Sequence, residues 1–317
     1  MIKEGHEVII FDNFCNASRE SIKRVEKILK QDIEIVEGDI RNVEDVTTVL
    51  TLHKIDVAVR FAGLKAVHES AEEPLKYYDN NINRTIVLCE VMQEFSCKSI
   101  IFSSSTTIYG DSKSLLTTEA FPAGATNPYG RSKLFTEEIL KDLYISDNTW
   151  KVILLRYFNP VGTHKSGTTG ENPNGVQSNL IPCIAQTVVG KRKSLQVYGN
   201  DYRTTDGTGV RDYIHLVDLA KGHLKSLDKM KEDIGVLTVN LGTGIGYSVL
   251  EMVEAFEKAS GQNVPYEIVG QRDGDIDQCY AETTLAEKLL GGKARKGLSE
   301  MCEDSWRWQK NNPMGYK

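Results

Sequence analysis

The sequence predicts an α/β protein: a doubly wound parallel sheet with a smaller mixed lobe. Three observations predict it. Short apolar runs alternate with helical stretches across the first two-thirds of the chain. The segments between successive runs are long enough for crossover helices rather than hairpin turns. After Tyr157 the texture changes, and residues 159–211 are rich in Asn, Gly and Thr. A length of 317 residues leaves room for one large α/β unit or two lobes. The boundary falls at 157. Residues 1–157 make the sheet domain, and 158–317 make mainly the second lobe, with segments returning to the first.

Each element follows from its pattern. Glu7–Phe11 reads as a buried strand ending in Asp12-Asn13. Residues 18–31 repeat apolar side chains at Ile22, Val25, Ile28 and Leu29, a helical stripe. Ile33–Val36 is a second strand and Val43–Leu52 a helix. Asp56–Phe61 is a third strand, stopped by Ala62-Gly63. Pro74–Glu94 holds one long helix. Lys98–Phe102 is a fourth strand running into Ser103-Ser104-Ser105. Asn127 as N-cap, with Pro128 at the first helical position, starts another helix. Trp150–Leu155 is a fifth strand. Strands joined this way make right-handed crossovers, with helices on both faces of a parallel sheet. Within residues 159–211 one helix is clear, near Leu180–Val189, and Tyr198–Gly209 reads as loops and turns.

Composition excludes several roles. A net charge of −6 with no basic block argues against nucleic-acid and membrane-surface partners. The apolar runs are far short of the roughly 20 residues that span a bilayer, and Met1–His6 has no signal-peptide core. Six scattered cysteines without a CxxC pair fit reduced thiols in a cytoplasmic protein. The six histidines show no ligand spacing, so no metal site is expected.

The chain opens on Lys3-Glu4-Gly5-His6, which reads as the end of a helix with its C-cap glycine. A nucleotide-binding sheet of this kind begins with a strand, a Gly-rich turn and a helix whose N–H groups receive a pyrophosphate. The expectation is therefore a sheet without that first strand and loop, poorly stable and unable to retain a dinucleotide.

Three features carry chemistry. Tyr129 and Lys133 lie one turn apart at the start of a helix and so share a face. An ammonium beside a phenol favours the phenolate, which can shuttle a proton to or from a sugar hydroxyl. The spacing alone is weak: Tyr109 and Lys113 repeat it within a turn, and Tyr129 also reads as a helix-surface residue. Ser103–Thr107 follow a strand end, where ligands of such sheets bind, or they cap a turn. Asp12 ends the first strand, where a carboxylate can accept from an adenosine ribose or serve a helix N-terminus. Asp39-Ile40, at the next strand end, can frame adenine.

Together these residues resemble a known family. Phe61-Ala-Gly-Leu-Lys-Ala-Val67, Ser103-Ser-Ser, Asn127-Pro-Tyr-Gly-Arg-Ser-Lys133, Arg156-Tyr-Phe-Asn-Pro160 and Val210-Arg-Asp-Tyr-Ile-His215 resemble the UDP-glucose 4-epimerases. These are extended short-chain dehydrogenases with a Rossmann-type domain. The likeness runs to Met301–Trp308. It implies Tyr129 as catalytic base, Lys133 as its partner on the nicotinamide ribose, and Ser105 as the bridging hydroxyl. It implies NAD contacts at Asp12, Asn13, Asn16, Asp39, Ile40, Phe61, Ala62, Gly63, Lys65, Asn81 and Tyr157. It implies a UDP-sugar site at Phe158, Asn159, Asn179, Leu180, Arg211, Arg272 and Asp275, with Lys65 and Ser105 also touching substrate. Guanidinium groups at Arg211 and Arg272 suit a diphosphate.

The implied reaction interconverts UDP-glucose and UDP-galactose through transient oxidation at C4 by tightly bound NAD, in a homodimer. Cys279 stands where members restricted to UDP-glucose carry tyrosine, so UDP-GlcNAc and UDP-GalNAc are expected substrates too. Departures are Arg60 for the usual histidine, Arg84 for a small glycine, and Thr106 for alanine. The two arginines are expected to face solvent, with Arg84 crowding a helix contact if it does not. Rival readings are a truncated non-catalytic homologue and a nucleotide-sugar 4,6-dehydratase, the latter disfavoured because Thr106-Thr107-Ile108 offers no carboxylate.

Overall fold

Helix capping and strand composition fix the first region. β1 (Ile9–Asp12) leads to α1 (Arg19–Leu29), where the Ser18 side chain accepts from Glu20 N at 3.2 Å. β2 (Glu34–Glu37) follows, then α2 (Val43–Leu52), capped in the same way by Asn42. Next come β3 (Ala58–Arg60) and the short α3 (Val67–Glu72). The computed structural model describes residues 1–110, 116–173, 179–272 and 275–316, so Asp111 and Lys113 lie outside the described residues.

The single helix expected over Pro74–Glu94 is interrupted. α4 (Pro74–Tyr78) and α5 (Arg84–Glu94) are joined by a π-helical turn, Asp79–Asn83. The wider turn places Asn81, 1% exposed, inside the protein. β4 (Ser99–Ser105) runs three residues further than its apolar pattern and ends in a 3-10 turn, Thr106–Tyr109. β5 (Leu116–Thr117) precedes α6 (Pro128–Ser146), which begins as the sequence predicts, with Asn127 Oδ1 accepting from Gly130 N at 2.8 Å.

β6 (Lys151–Tyr157) and β7 (Asn159–Val161) lead into the second region. There α7 (Leu180–Val188) and β8 (Leu195–Tyr198) are followed by β9 (Val210–His215) and α8 (Leu216–Lys229). β10 (Val236–Leu241), β11 (Gly246–Ser248) and α9 (Val249–Ser260) come next. β12 (Tyr266–Val269), β13 (Gln278–Ala281), α10 (Thr284–Leu290) and α11 (Leu298–Asn311) complete it.

The strands pair mostly in parallel, as the doubly wound fold predicts, with β11 antiparallel to β9. Four strands pair in the order β10–β6–β4–β3, while β1 and β2 pair only with each other. Among the described residues no strand links β1 to β3, and residues of both line one cleft. The second region adds the sheet β11–β9–β13–β5, with β7 on β9, and the pair β12–β8. The core is deepest under β4 and β6, where Ile100, Ile101, Phe102 and Val152 to Leu155 have no exposed surface. Cys89, Met92 and Leu140 cover one face, and Leu219 and Leu290 the other. Each such large side chain contributes roughly 1.5–3 kcal/mol relative to leaving it in water. A second core joins α7, α9 and α11 through Ile184, Met252, Phe256 and Met301. No described helix is long and apolar enough to cross a membrane.

Candidate active site

Four residues of α-helix bring Lys133 almost directly over Tyr129, facing the end of β4. Ser105 closes that strand. Its hydroxyl accepts from Thr107 N at 3.3 Å and Thr107 Oγ1 at 3.0 Å, so it caps the turn and keeps its own proton for the Tyr129 phenol. Lys133 is buried; its ammonium donates to Ser103 O at 2.7 Å and lies 5.9 Å from the Tyr129 ring centre. Burial first, then the neighbouring Arg60 cation, pulls Lys133 down to about 7. The Tyr129 phenol is pushed up by burial, which the Ser105 hydrogen bond partly offsets. The expected lowering of Tyr129 by Lys133 is thus corrected. The ammonium is turned to a backbone carbonyl, and desolvation outweighs attraction at this distance.

Arg60 is corrected as well: it is 3% exposed rather than solvent-facing. Its Nη2 donates to Asn81 O at 3.1 Å, and its guanidinium lies 5.7 Å from the Phe102 ring centre, the ring that Lys133 approaches at 4.9 Å. Burial pulls Arg60 down to about 10. Arg84 is only partly exposed and pairs with Asp79 at 2.6 Å across the π turn, with its Nε buried and unpartnered.

Sequence reasoning missed the network behind the helix. Arg156 on β6 donates to Glu137 at 3.0 and 2.6 Å and to the Tyr109 hydroxyl at 2.8 Å. Ser104 Oγ donates to the same carboxylate at 2.5 Å, and Tyr109 donates to Asn240 Oδ1 at 2.7 Å. Glu137 and Asn240 have no exposed surface. These bonds tie α6, β4, β6 and β10 together directly behind Tyr129 and Lys133. A signal was present: Glu137 is four residues beyond Lys133, on the same helical face.

A cleft of 3210 Å³ opens beside this cluster. At one end stand Asp12, Asn13, Asn16, Asp39 and Ile40. Asp12 accepts from Phe14 N at 2.7 Å, and Asn13 Nδ2 donates to Asp39 at 2.9 Å. The Arg41 guanidinium, with Asn13 assisting, holds Asp39 well below the usual carboxylate range. Phe61, Ala62, Gly63 and Lys65 form an exposed wall. Asn81 works behind it, accepting from Leu64 N at 2.9 Å and donating to Leu64 O and Ser132 Oγ at 3.0 Å each. A side chain at Gly63 would stand 3.1 Å from Asn81 Oδ1, so the loop lies tight on its support. Tyr157 stands beside Ser105 in the sheet register.

The opposite wall comes from the second region. Asn159, Asn179, Leu180, Arg211, Arg272 and Asp275 line the cleft. Asp275 accepts from Arg272 Nε at 3.2 Å and has Arg211 at 3.9 Å, so one carboxylate holds two guanidiniums. Glu171 spans the gap: Lys65 pairs with it at 3.1 Å and Asn179 donates to it at 3.2 Å. Two residues sit back from the cleft. Phe158 is buried, and Cys279 on β13 faces Thr117 Oγ1 at 4.0 Å, in register with Arg211. No group of three or more potential metal ligands occurs among the described residues.

The chain is similar to known proteins in sequence and in fold. A family profile described as GDP-mannose 4,6 dehydratase matches residues 1–305. The UDP-glucose 4-epimerase of Bacillus subtilis is 53% identical over 317 residues, spanning all of this chain and 94% of the relative. That of Drosophila melanogaster is 53% identical over 325 residues, spanning all of this chain and 93% of the relative. The crystal structure of UDP-glucose 4-epimerase from Bifidobacterium longum, in complex with NAD+ and UDP, superposes with a TM-score of 0.96 at 50% identity. The match covers 99% of this chain and 94% of that one. In sequence and in fold, the chain belongs to the UDP-glucose 4-epimerase family.

Proposed function

We propose that this chain interconverts UDP-glucose and UDP-galactose at the sugar C4, with NAD as its resident cofactor. The observation that carries the reading is the cluster of Ser105, Tyr129 and Lys133 at the buried sheet's end, beside a cleft walled opposite by Arg211 and Arg272. The residues fit NAD. Asp12, Asn13, Asn16, Asp39 and Ile40 would hold the adenosine end. Phe61, Ala62, Gly63, Lys65, Asn81, Lys133 and Tyr157 would hold the nicotinamide end. Lys133 Nζ has one protein acceptor among the described residues and two further hydrogens for a ribose. A bound NAD supplies reversible hydride transfer at C4.

The chain's own part is proton movement and orientation. Tyr129 takes the C4 hydroxyl proton, Ser105 holds that hydroxyl against the phenol, and Lys133 would hold the nicotinamide ribose. Arg211 and Arg272, set by Asp275, clamp the diphosphate. Phe158, Asn159, Asn179 and Leu180 orient the rest of the nucleotide sugar. Elimination is disfavoured because the turn after Ser105 carries threonines and no carboxylate, and the buried Glu137 is committed to Arg156.

We also propose that the site admits UDP-N-acetylhexosamines, because Cys279, behind the cleft and in register with Arg211, leaves room that a tyrosine at this position would fill. The assembly is proposed as a homodimer and its place as the cytoplasm. Exposed apolar side chains on α4 to α6 (Leu75, Ile86 and Phe135) support the dimer, which light scattering would test.

The principal test is a coupled assay of UDP-galactose conversion, with bound nucleotide measured by absorbance after denaturation. Conversion with bound NAD would support this reading against the expectation that the chain cannot retain a dinucleotide; a folded chain that binds UDP-sugar without turnover would favour the non-catalytic reading. Cys279→Tyr should suppress the N-acetyl reaction and spare the UDP-glucose reaction. Equal loss of both would refute the pocket-size argument.

A further inference from the structure

Tyr157 and His223 form a pair whose proton positions follow from what surrounds them. His223, on α8, is 2% exposed. Its Nδ1 lies 3.0 Å from Leu219 O, four residues earlier on the same helix. A carbonyl only accepts, so Nδ1 carries a hydrogen. The other nitrogen, Nε2, lies 2.5 Å from the Tyr157 hydroxyl. The ring is buried, and burial disfavours its charged form. A neutral imidazole holds one hydrogen, so Nε2 is an acceptor and Tyr157 must donate to it. Outside that bond the Tyr157 oxygen has only lone pairs, and the neighbouring Ser103 hydroxyl spends its one hydrogen on Arg60 O at 2.8 Å.

The pair is part of the site. Tyr157 is the register partner of Ser105 on the neighbouring strand; burial pushes its phenol up, the Ser103 hydroxyl partly offsets this, and the Tyr129 phenol adds to the rise. His223 also meets Tyr157 ring to ring, with centres 5.5 Å apart, and supports Phe61 on its other side at 4.9 Å. One buried imidazole thus touches two residues assigned above to the nicotinamide end, of which Phe61 lines the cleft.

We propose that His223 is a positioning residue: it fixes the Tyr157 hydroxyl as a pure acceptor toward the cofactor and backs the Phe61 ring. The group so recognised bears N–H or O–H hydrogens. Given the function proposed above, it is the carboxamide of the nicotinamide ring. A Tyr157 free to rotate its proton would present a donor half the time and lose that selectivity.

Two measurements on the full chain test this. The first needs no ligand. In protein labelled with 15N at histidine, long-range proton–nitrogen spectra report the tautomer, with the His223 signal assigned by its loss in His223→Gln. The expected result is a protonated Nδ1, an unprotonated Nε2, and an Nε2 shift that moves in Tyr157→Phe. A protonated Nε2, or no response to Tyr157→Phe, overturns the proposal, whatever becomes of the proposed activity. The second is a cycle of NAD dissociation constants, with kcat and KM recorded separately. His223→Phe keeps a ring against Phe61 but offers no acceptor, and should weaken NAD about tenfold, the worth of one hydrogen bond. His223→Gln, which can still accept, should restore most of it. His223→Phe should cost little more once Tyr157 is Phe. Unchanged affinity in His223→Phe, failure of Gln to rescue, or additive losses would each sink the idea. Failure of the parent to bind NAD would instead count against the function proposed above, with the spectra still deciding the pair.

Discussion

β1 and β4 carry similar apolar runs, yet they fare differently. β1 is half-buried at every residue, while Ile100, Ile101 and Phe102 of β4 have no exposed surface. The difference lies in their neighbours. β4 has β3 on one side, β6 on the other, and helices over both faces. β1 has β2 alone. Burial is thus a property of what a strand is packed among, not of its own composition. The two ends of the proposed site inherit this contrast. Ser105, Tyr129 and Lys133 rest on the tight sheet, and Asp12 and Asn13 on the thin one.

Four experiments probe the contrast. The largest effect belongs to the tight end. Tyr129→Phe should lower turnover about 10²–10⁴-fold with UDP-sugar binding and melting temperature nearly kept. Near-normal turnover would move proton transfer to Ser105 or elsewhere. Next, the two sheets differ in what an ion pair is worth. Arg156→Met strands the buried Glu137 and should cost about 3–5 kcal/mol. Arg19→Met breaks the exposed pair with Glu37 on β2 and should cost under about 1 kcal/mol. Equal losses in urea melts would remove the distinction. Third, Ile101→Ala should cost about 2–5 kcal/mol and Ile10→Ala clearly less, because the half-buried site leaves a smaller cavity. A reversed order would show that β1 is as well supported as β4.

The smallest effect concerns pH, and it separates the second region from the first. His164, His215 and His223 all have basicities lowered by burial, so each binds fewer protons folded than unfolded. Stability therefore rises with pH through this window and is lost as pH falls below about 6.5. A melting temperature that drops between neutral and mildly acidic pH, less steeply in His215→Gln, is the expected outcome. A flat profile would mean the three rings are better solvated than their burial implies.

Much of this was legible in the sequence because it is local. The Asn127-Pro128 start of α6, the Val43–Leu52 helix and the strand before Ser103 all announce themselves through caps or apolar period. The parts that escaped depend on distant partners. β13 is only four residues long, Gln278–Ala281, too short for its period to mark it, and its strand pairs are with the distant β5 and β9. Arg60 carries a charge that ordinarily predicts solvent, and its burial follows from a carbonyl supplied by the π turn and a ring supplied by β4. α3 is mostly polar and has no side-chain cap, so nothing in its composition marks it. For the site, Tyr129 and Lys133 were readable as spacing, whereas the bond between Tyr157 and His223 joins residues 66 positions apart.

The π turn at Asp79–Asn83 has a consequence for how this chain can change over generations. A π turn holds an extra residue that sets one helical frame out of phase with the next. Removing one residue there would restore a regular helix, yet it would swing Asn81 away from Leu64 and Ser132 by about a quarter turn. Adding one would rotate Met92 and Cys89 off the sheet they cover. Point substitutions on the outer face of this helix can drift freely, but its length is frozen. Insertions and deletions in this part of the chain should therefore be confined to the connections before Pro74 and after Glu94.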